Sequence, residues 1–332
     1  MKPLLAGVAL LLASGLSAQT YHIASTWPIG GTGSYDYVRF DAAGHRLFVS
    51  HQTEVAVIDT LSGRMVGKIP GQHGVHGIAL VTGLNRGFIT NGLSGSVVAF
   101  DLSTLAVTGE YKTGGDKPDG IEYDAGTGLL VISNGHSHTV SLMTAATGQV
   151  AHLVNVAGNP ESIALDGQGR AFVNLESANT IAQIDLARGT VLSEWKTAPG
   201  EGPTGLALDR AHHRLIATCG GNETCVVLES VSGKRIAALP IGDDSDAVAF
   251  NPDKGLIFSS NRDGTLTIIH ENDTDHFQVV QTVQTQFGAK TLALDPVADR
   301  VYLPVAKLTA GPDEDHPGPA VPDTFKIIVV TP

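Results

Sequence analysis

One unit recurs along this chain of 332 residues, and it constrains the fold more than any other feature. In the copy at residues 203–242, four short apolar runs are separated by turns that are rich in Gly, Asn and Ser. Four short strands joined by tight turns and then repeated are typical of the blades of a β-propeller.

The repeat can be counted from the residue that closes the first run of each unit. These residues are spaced by 40, 43, 42, 43, 42 and 44 positions and are Asp41, Val81, Asp124, Asp166, Asp209, Asn251 and Asp295. Seven units without helical periodicity predict an all-β, seven-bladed propeller of four-stranded antiparallel blades. The last unit ends after its third run. We therefore expect residues 21–27 to supply its fourth strand and to close the ring without an exposed edge.

The N-terminal segment has the pattern of a secretory signal peptide. Lys2 precedes an apolar stretch at residues 4–12 that is too short to span a bilayer, and small residues follow at Ser17 and Ala18. We expect residues 1–18 to be removed and residues 19–332 to form one domain, a monomer in the periplasm or outside the cell. The net charge of −12 argues against nucleic acid or anionic lipid as the main partner.

The two cysteines, Cys219 and Cys225, lie six positions apart across a predicted turn. In an oxidising compartment this spacing favours a disulfide that joins the two strands of one hairpin. A metal pair and a redox pair are the alternatives, although further ligands are absent nearby and the spacing is not Cys-x-x-Cys.

The residues that begin the first strands should form a ring around the mouth of the propeller channel. They are Asp36, His76, Asp119, Glu161, Thr204, Asp246 and Lys290. Carboxylates held close together raise each other's pKa unless a cation lies between them. The ring therefore predicts a site for a small polar molecule, a metal ion or a peptide. The alternative is a hydrated funnel in which Lys290 is the counter-ion. Arg39 and Glu122 lie just below the ring and either pair with each other or face a wet channel.

Several histidines fall on the same predicted face. His51, His136 and His138 follow second strands and would lie near His76, Asp36 and Asp119. Imidazole with carboxylate ligands suits a divalent transition metal, so these six residues are a candidate metal site. The alternative is that the turns simply tolerate histidine.

Particular segments resemble a known family. Residues 87–92 (GFITNG), 97–101 (VVAFD) and 203–209 (PTGLALD) are similar to the YVTN-type repeats of YncE-like propellers, and the likeness covers the whole mature chain. The resemblance implies an exported seven-bladed propeller. It does not choose a function, because that family and its neighbours include binding proteins, enzyme subunits and exported proteins of other roles. The chain departs from the usual Thr-Asn end of the second strand in three units, which have Ser50-His51, Thr218-Cys219 and Pro304-Val305 instead.

Three functions remain open from the sequence. The first is an exported binding protein whose ligand enters the mouth. The second is a metal-dependent enzyme of lactonase or lyase type, with Glu161 or Asp246 as general base. The third is a scaffold in an envelope assembly. We find no motif for a nucleotide, haem or flavin. The proline-rich loop at residues 306–323 would lie over the mouth as a lid or be disordered.

Overall fold

The structure is a computed structural model that describes residues 20–311 and 318–332. It confirms the predicted fold, because the described strands form seven four-stranded antiparallel sheets arranged as a propeller. The predicted signal peptide at residues 1–18 lies outside the described residues. In the described part of the chain, we find no helix with the length and hydropathy that a membrane crossing requires.

Blades 1 to 6 each use four consecutive strands, and the first of them is innermost. In blades 1 to 3 the strands are β2 (Tyr35–Asp41), β3 (Arg46–His51), β4 (Glu54–Asp59), β5 (Arg64–Pro70), β6 (Val75–Val81), β7 (Arg86–Asn91), β8 (Ser96–Asp101), β9 (Val107–Lys112), β10 (Pro118–Asp124), β11 (Leu129–Asn134), β12 (Thr139–Thr144) and β13 (Val150–Asn155). In blades 4 to 6 they are β14 (Pro160–Leu165), β15 (Arg170–Leu175), β16 (Thr180–Asp185), β17 (Thr190–Lys196), β18 (Pro203–Asp209), β19 (Arg214–Cys219), β20 (Thr224–Glu229), β21 (Arg235–Pro240), β22 (Ser245–Asn251), β23 (Leu256–Asn261), β24 (Thr265–Asp273) and β25 (His276–Gln284). Single-turn 3-10 helices lie at Thr82–Leu84 and Glu176–Ala178.

Blade 7 joins the two ends of the chain. Its sheet runs in the order β1 (His22–Pro28), β28 (Lys326–Thr331), β27 (Arg300–Val305) and β26 (Ala293–Asp295). The N-terminal segment therefore supplies the outermost strand, as the incomplete last repeat predicted, and the strand begins one residue later than expected. This pairing gives the last blade its fourth strand and leaves the ring closed.

The core lies between neighbouring blades rather than inside any one sheet. Side chains alternate across each strand, so every sheet contributes one apolar face to the blade before it and one to the blade after it. Between blades 1 and 2, for example, Phe48, Ile78 and Phe100 pack in one cluster. The innermost strands of adjacent blades contact one another around the channel, and this places the start of each first strand at the mouth.

The predicted disulfide is wrong, because the strand register separates the two thiols. Cys219 lies opposite Thr224, and Cys225 lies opposite Thr218. Residues directly opposite in an antiparallel pair project to the same face, so the two cysteines project to opposite faces of the sheet. Cys219 packs in the core between blades 4 and 5, and Cys225 packs in the core between blades 5 and 6. Both are buried free thiols.

The described ends of the 306–323 loop run antiparallel to each other. Leu308 and Ala320 form a β-bridge, and the Thr309 amide donates to the Pro319 carbonyl at 3.0 Å. The loop is thus tied at its base on the mouth face. Residues 312–317 are outside the described residues, and the lid role stays a prediction.

The free thiols can be counted chemically. We expect protein that has never been reduced to show two reactive thiols per chain in denaturant, and none while folded. Burial shields both sulfurs and raises the pKa of Cys219 to about 12, which leaves little thiolate. A thiol-specific chromogenic reagent makes the measurement, with a fully reduced sample as the control. A count of zero in denaturant before reduction would contradict the strand register.

Candidate functional site

Hydroxyl side chains from the second strands fix the backbone at the channel mouth. In three blades the hydroxyl donates a hydrogen bond to the carbonyl of the mouth residue in the next blade. The pairs are Thr90 with Asp119 (2.6 Å), Ser133 with Glu161 (2.7 Å) and Ser260 with Lys290 (2.7 Å). A mouth residue is therefore positioned by the blade before it as well as by its own strand.

Asp36, His76 and Asp119 come together from three consecutive blades. The Nδ1 atom of His76 is 2.6 Å from Oδ2 of Asp36 and 3.6 Å from Oδ1 of Asp119. One ligand atom from each residue falls within a group in which all separations are at most 4.8 Å. The Oδ1 atom of Asp119 is buried and accepts no hydrogen bond from the described residues. Two carboxylates and an imidazole are common metal ligands, and one of these carboxylate oxygens lacks a hydrogen bond. The three residues therefore have the chemistry of a cation site.

Lysines lie on two sides of this group. Lys290 forms an ion pair with Asp246, and its Nζ atom is 3.9 Å from Oδ1 of Asp36. Lys117 places its Nζ atom 3.7 Å from Oδ2 of Asp119. The predicted counter-ion role of Lys290 therefore has a structural basis, although it acts chiefly on Asp246.

Further ionisable residues at the mouth were not singled out from the sequence. They are Tyr37, Lys117, Glu176, Asp244 and Arg262. Arg262 pairs with Asp244 through Nε and Oδ2 at 2.6 Å. Glu176, Asp244 and Arg262 lie in turns at the mouth end of the blades, so the topological rule that selected the ring would also have found them. With these residues, six carboxylates face three permanent cations and His76.

Burial makes this excess of carboxylates costly. Burial, with the nearby charges of Asp119 and Asp246, raises the pKa of Glu161 to about 9. Burial also raises the pKa of Asp119 to about 6, against the opposing effect of His76. The phenol of Tyr37 has a pKa well above its usual value, because it is buried next to the charges of four carboxylates. At neutral pH the mouth therefore holds a proton on Glu161 that an exposed carboxyl would release.

The pKa shifts of Asp36 and His76 favour the charged form of each side chain, whereas those of Glu161 and Asp119 favour the neutral form. Burial alone would raise the pKa of Asp36, but Lys290 and the hydrogen bond with His76 outweigh it and lower the value. Burial alone would lower the pKa of His76, but its hydrogen bond to Asp36 and the charge of Asp119 raise it. This pair is held in its charged form near Glu161, which stays protonated at neutral pH.

Other predicted residues lie outside the three-residue group. His51 is buried and stacks on Phe325 with ring centroids 4.5 Å apart. His136 and His138 are exposed, and His138 occupies a left-handed turn position. Thr204 uses its hydroxyl on the Ser245 carbonyl. The structure thus brings together Asp36, His76 and Asp119 of the six candidate metal ligands.

Arg39 and Glu122 pair with each other inside the channel. The Nε atom of Arg39 also donates to the Ile78 carbonyl at 2.9 Å. A cavity of about 330 Å³ surrounds this pair below Tyr37 and is lined by residues of the first strands. The pair carries no net charge, so the acidic character of the channel is concentrated at the mouth.

Two further cavities flank the ring. One of about 430 Å³ lies beside Lys290 and Arg262 and is bounded by Leu308 and Pro319 of the long loop. The other cavity, of about 450 Å³, is lined by residues that include His76, Lys117 and His136. A small ligand thus has room on either side of the charged centre.

A second group with metal-ligand chemistry lies at the opposite end of the blades. It contains Asp209, His212 and Glu271, whose ligand atoms also fall within 4.8 Å of one another. Asp209 closes β18 and His212 follows it, whereas the mouth residue Thr204 lies near the start of β18.

Comparisons with known proteins bear on the fold alone. No family model and no curated protein matches the sequence. Among solved structures, the chain is similar to Kuenenia stuttgartiensis Hydrazine Synthase, with a TM-score of 0.72 and 16% identity over 83% of this chain and 93% of that chain. It is also similar to U3-55K, with a TM-score of 0.77 and 9% identity over 92% of this chain and 97% of that chain. Identities this low support the propeller fold, and the narrower resemblance to YncE-like proteins stays a prediction.

The raised pKa of Glu161 should make the stability of the protein depend on pH. Below about pH 4 this carboxyl is protonated in both the folded and unfolded states. As the pH rises toward 9, the unfolded chain ionises Glu161 freely while the folded protein resists it, so the free energy of unfolding falls. At about pH 8.5 we expect Glu161→Gln to have a larger free energy of unfolding than wild type in urea denaturation, by up to about 1.4 kcal/mol for each pH unit above the ordinary pKa of glutamate, and to match wild type near pH 4.

The exposed Glu201 supplies the matched control, since Glu201→Gln should show no gain that depends on pH. Both variants are measured in chelator so that adventitious cations do not contribute. Equal pH dependence in wild type and Glu161→Gln would contradict the assigned shift.

Proposed function

We propose that this protein is an exported binding protein whose channel mouth captures a cation, and that the best-fitting ligand is a divalent transition metal ion. Asp36, His76 and Asp119 would hold the ion through two carboxylate oxygens and one imidazole nitrogen. One nitrogen and two oxygens form a ligand set suited to zinc and its neighbours, with positions left open for water or for a second ligand. The proposed location outside the cytoplasm rests on the N-terminal sequence pattern.

The observation that carries the proposal is the unsatisfied oxygen of Asp119. A buried carboxylate oxygen without a hydrogen-bond partner is expensive, and a bound cation would offset that cost. Even with Glu161 protonated, the remaining five carboxyl groups outnumber the three permanent cations, and this favours positively charged ligands over anions. A hydrated funnel would account for exposed carboxylates, but Asp119 is buried.

Zinc titration of the chelator-treated mature chain tests the proposal. We expect Asp119→Asn to abolish one zinc equivalent or to weaken it by at least about tenfold, because the amide removes the ligand charge. Zinc must also displace the proton that the raised pKa of His76 keeps on its imidazole, and the proton of Asp119, whose pKa is about 6, so the affinity at this site should fall as the pH is lowered. Isothermal titration calorimetry at several pH values measures both effects.

Asp116→Asn is the matched control, because it makes the same change on an exposed residue of the loop that precedes β10, the strand containing Asp119. Gly92→Ala is an independent probe. A Cβ at Gly92 would lie 2.7 Å from Nε2 of His76, so this change should displace the imidazole and weaken zinc without removing a ligand. Zinc binding by Asp119→Asn that equals wild type in affinity and stoichiometry would rule out this site.

One observation favours a metal-dependent enzyme as the second candidate. Carboxyls in the same cluster have pKa values pushed apart, as in many acid–base sites, with Asp36 lowered and Glu161 raised to about 9. At neutral pH Glu161 holds a proton, so it would act as a general acid rather than as the base expected from the sequence. Asp246 is paired with Lys290. A bound cation would supply the charge that polarises a carbonyl substrate.

Lactone hydrolysis in the presence of zinc tests this second candidate. If Glu161 donates a proton in the reaction, Glu161→Gln should lower kcat by at least about 100-fold and leave KM nearly unchanged. The activity of wild type should also decline above about pH 9, and that decline should be absent from the residual activity of the variant. Hydrolysis no faster than that of Asp119→Asn across a panel of lactones would argue for binding without catalysis.

A further inference from the structure

Blade 6 has an outer hairpin that is longer than those of the other blades. Its strands β24 and β25 each contain nine residues, whereas the outer strands of the other six blades contain six or seven. The extension carries Glu271 and the tip residues Thr274 and Asp275 beyond the end of the sheet, on the face opposite the mouth. There they meet the turn between β18 and β19 of blade 5.

Arg214 of blade 5 contacts the tip of this hairpin. Its Nε atom donates to the Thr274 carbonyl at 2.7 Å, and one terminal nitrogen lies 2.9 Å from Oδ1 of Asp275. The contact fixes the hairpin tip against the turn that contains Asp209 and His212. The extended part of the hairpin therefore packs at a defined position on blade 5.

The equivalent arginine in blade 1 behaves differently. Arg46 lies opposite Asp41 as Arg214 lies opposite Asp209, and its Nε and terminal nitrogen donate to Oδ2 of Asp41 at 3.1 and 2.8 Å. Since Arg214 turns to the hairpin, Asp209 lacks this partner. Its Oδ1 atom accepts the turn amides, including that of Ala211 at 2.9 Å, but its Oδ2 atom is left facing the space between the blades.

Two buried carboxylate oxygens converge in that space and have no hydrogen-bond partner among the residues that the structure describes. They are Oδ2 of Asp209 and Oε1 of Glu271, on side chains that are only 2% and 3% exposed. The Nδ1 atom of His212 lies 2.6 Å from the first oxygen and 3.2 Å from the second, in neither case with hydrogen-bond geometry. All three atoms lie within 4.8 Å of one another, and each comes from a residue type that ligates metals.

The two carboxylates of the group also carry negative charge that a bound cation would balance. The carboxylates of Asp209 and Glu271 are both buried and lie near the same imidazole nitrogen, so they repel each other when both are ionised. An imidazolium at His212 would relieve part of this repulsion. However, its side chain is 48% exposed, so solvent screens part of its charge.

We propose that Asp209, His212 and Glu271 form a second metal site, which takes a divalent transition metal ion of the zinc class and joins blade 5 to blade 6. The ligand atoms would be Oδ2 of Asp209, Nδ1 of His212 and Oε1 of Glu271, with a solvent position on the exposed side of His212. One imidazole with two carboxylates favours such an ion over magnesium or calcium, which prefer oxygen alone. This site does not depend on the proposed function of the mouth.

The stoichiometry of zinc binding to the chelator-treated mature chain tests the site. With zinc chloride as the probe, we expect His212→Ala to bind one tight equivalent fewer than wild type, and Glu271→Gln to bind the same ion at least about tenfold more weakly. Zinc should raise the Tm of wild type by more than it raises the Tm of His212→Ala, because the ion links two blades. His213→Asn is the matched control, since it removes the adjacent imidazole and Asn tolerates the left-handed backbone at this position.

Comparison with Asp119→Asn separates this site from the mouth. If both sites exist, wild type binds two equivalents, each single variant binds one, and the double variant Asp119→Asn with His212→Ala binds none. If only the blade 5–6 site exists, Asp119→Asn keeps the single equivalent and His212→Ala loses it. Circular dichroism of the metal-free variants establishes that they fold. Equal tight stoichiometry and equal affinity in wild type, His212→Ala and Glu271→Gln would overturn the site and leave a protonated His212 as the counter-ion.

Discussion

The pairing of β1 with β28 is the interaction on which the rest of the structure depends. It completes the last blade and converts an open row of seven sheets into a closed ring. Tyr21 secures the start of this strand, because its hydroxyl lies 2.8 Å from both carboxylate oxygens of Asp299 and its ring packs edge-to-face on Phe258. An open array would leave the outer edge of the last blade unpaired, and the covalent link that β1 provides between blade 7 and blade 1 would no longer close the ring. The mouth exists as a single site only because the ring is closed.

Closure also explains the unusual electrostatics of the mouth. The first strand of each blade begins at the channel mouth, and hydroxyls such as those of Thr90 and Ser133 fix the backbone there. The side chains cannot move apart to dilute their charge, so burial and repulsion shift the pKa values of Asp119 and Glu161 upward. The fold thus holds in place a repulsion that an unfolded chain would relieve, and a cationic ligand would remove it.

Residue types that ligate metals come together on both faces of the propeller, but the structural reason differs between the two faces. At the mouth, the group arises from regular repetition, with Asp36, His76 and Asp119 at matching positions of successive blades. On the opposite face, the group arises from an irregularity, because the long hairpin of blade 6 brings Glu271 to a turn of blade 5. The first kind of site can be read from the repeat, whereas the second requires knowledge of which blade the hairpin contacts.

The sequence by itself determined the number of blades, the role of the N-terminal segment in closure and most members of the mouth ring. The physical reason is that the repeat period and the strand pattern depend on local turns and alternating burial. Tertiary structure decided the side-chain directions. Strand register sends Cys219 and Cys225 to opposite faces, stacking on Phe325 takes His51 away from the mouth group, and a docked hairpin presents Glu271 to Asp209. These outcomes depend on contacts between segments distant in sequence or on pairing register, and neither is expressed in the spacing of residues along the chain.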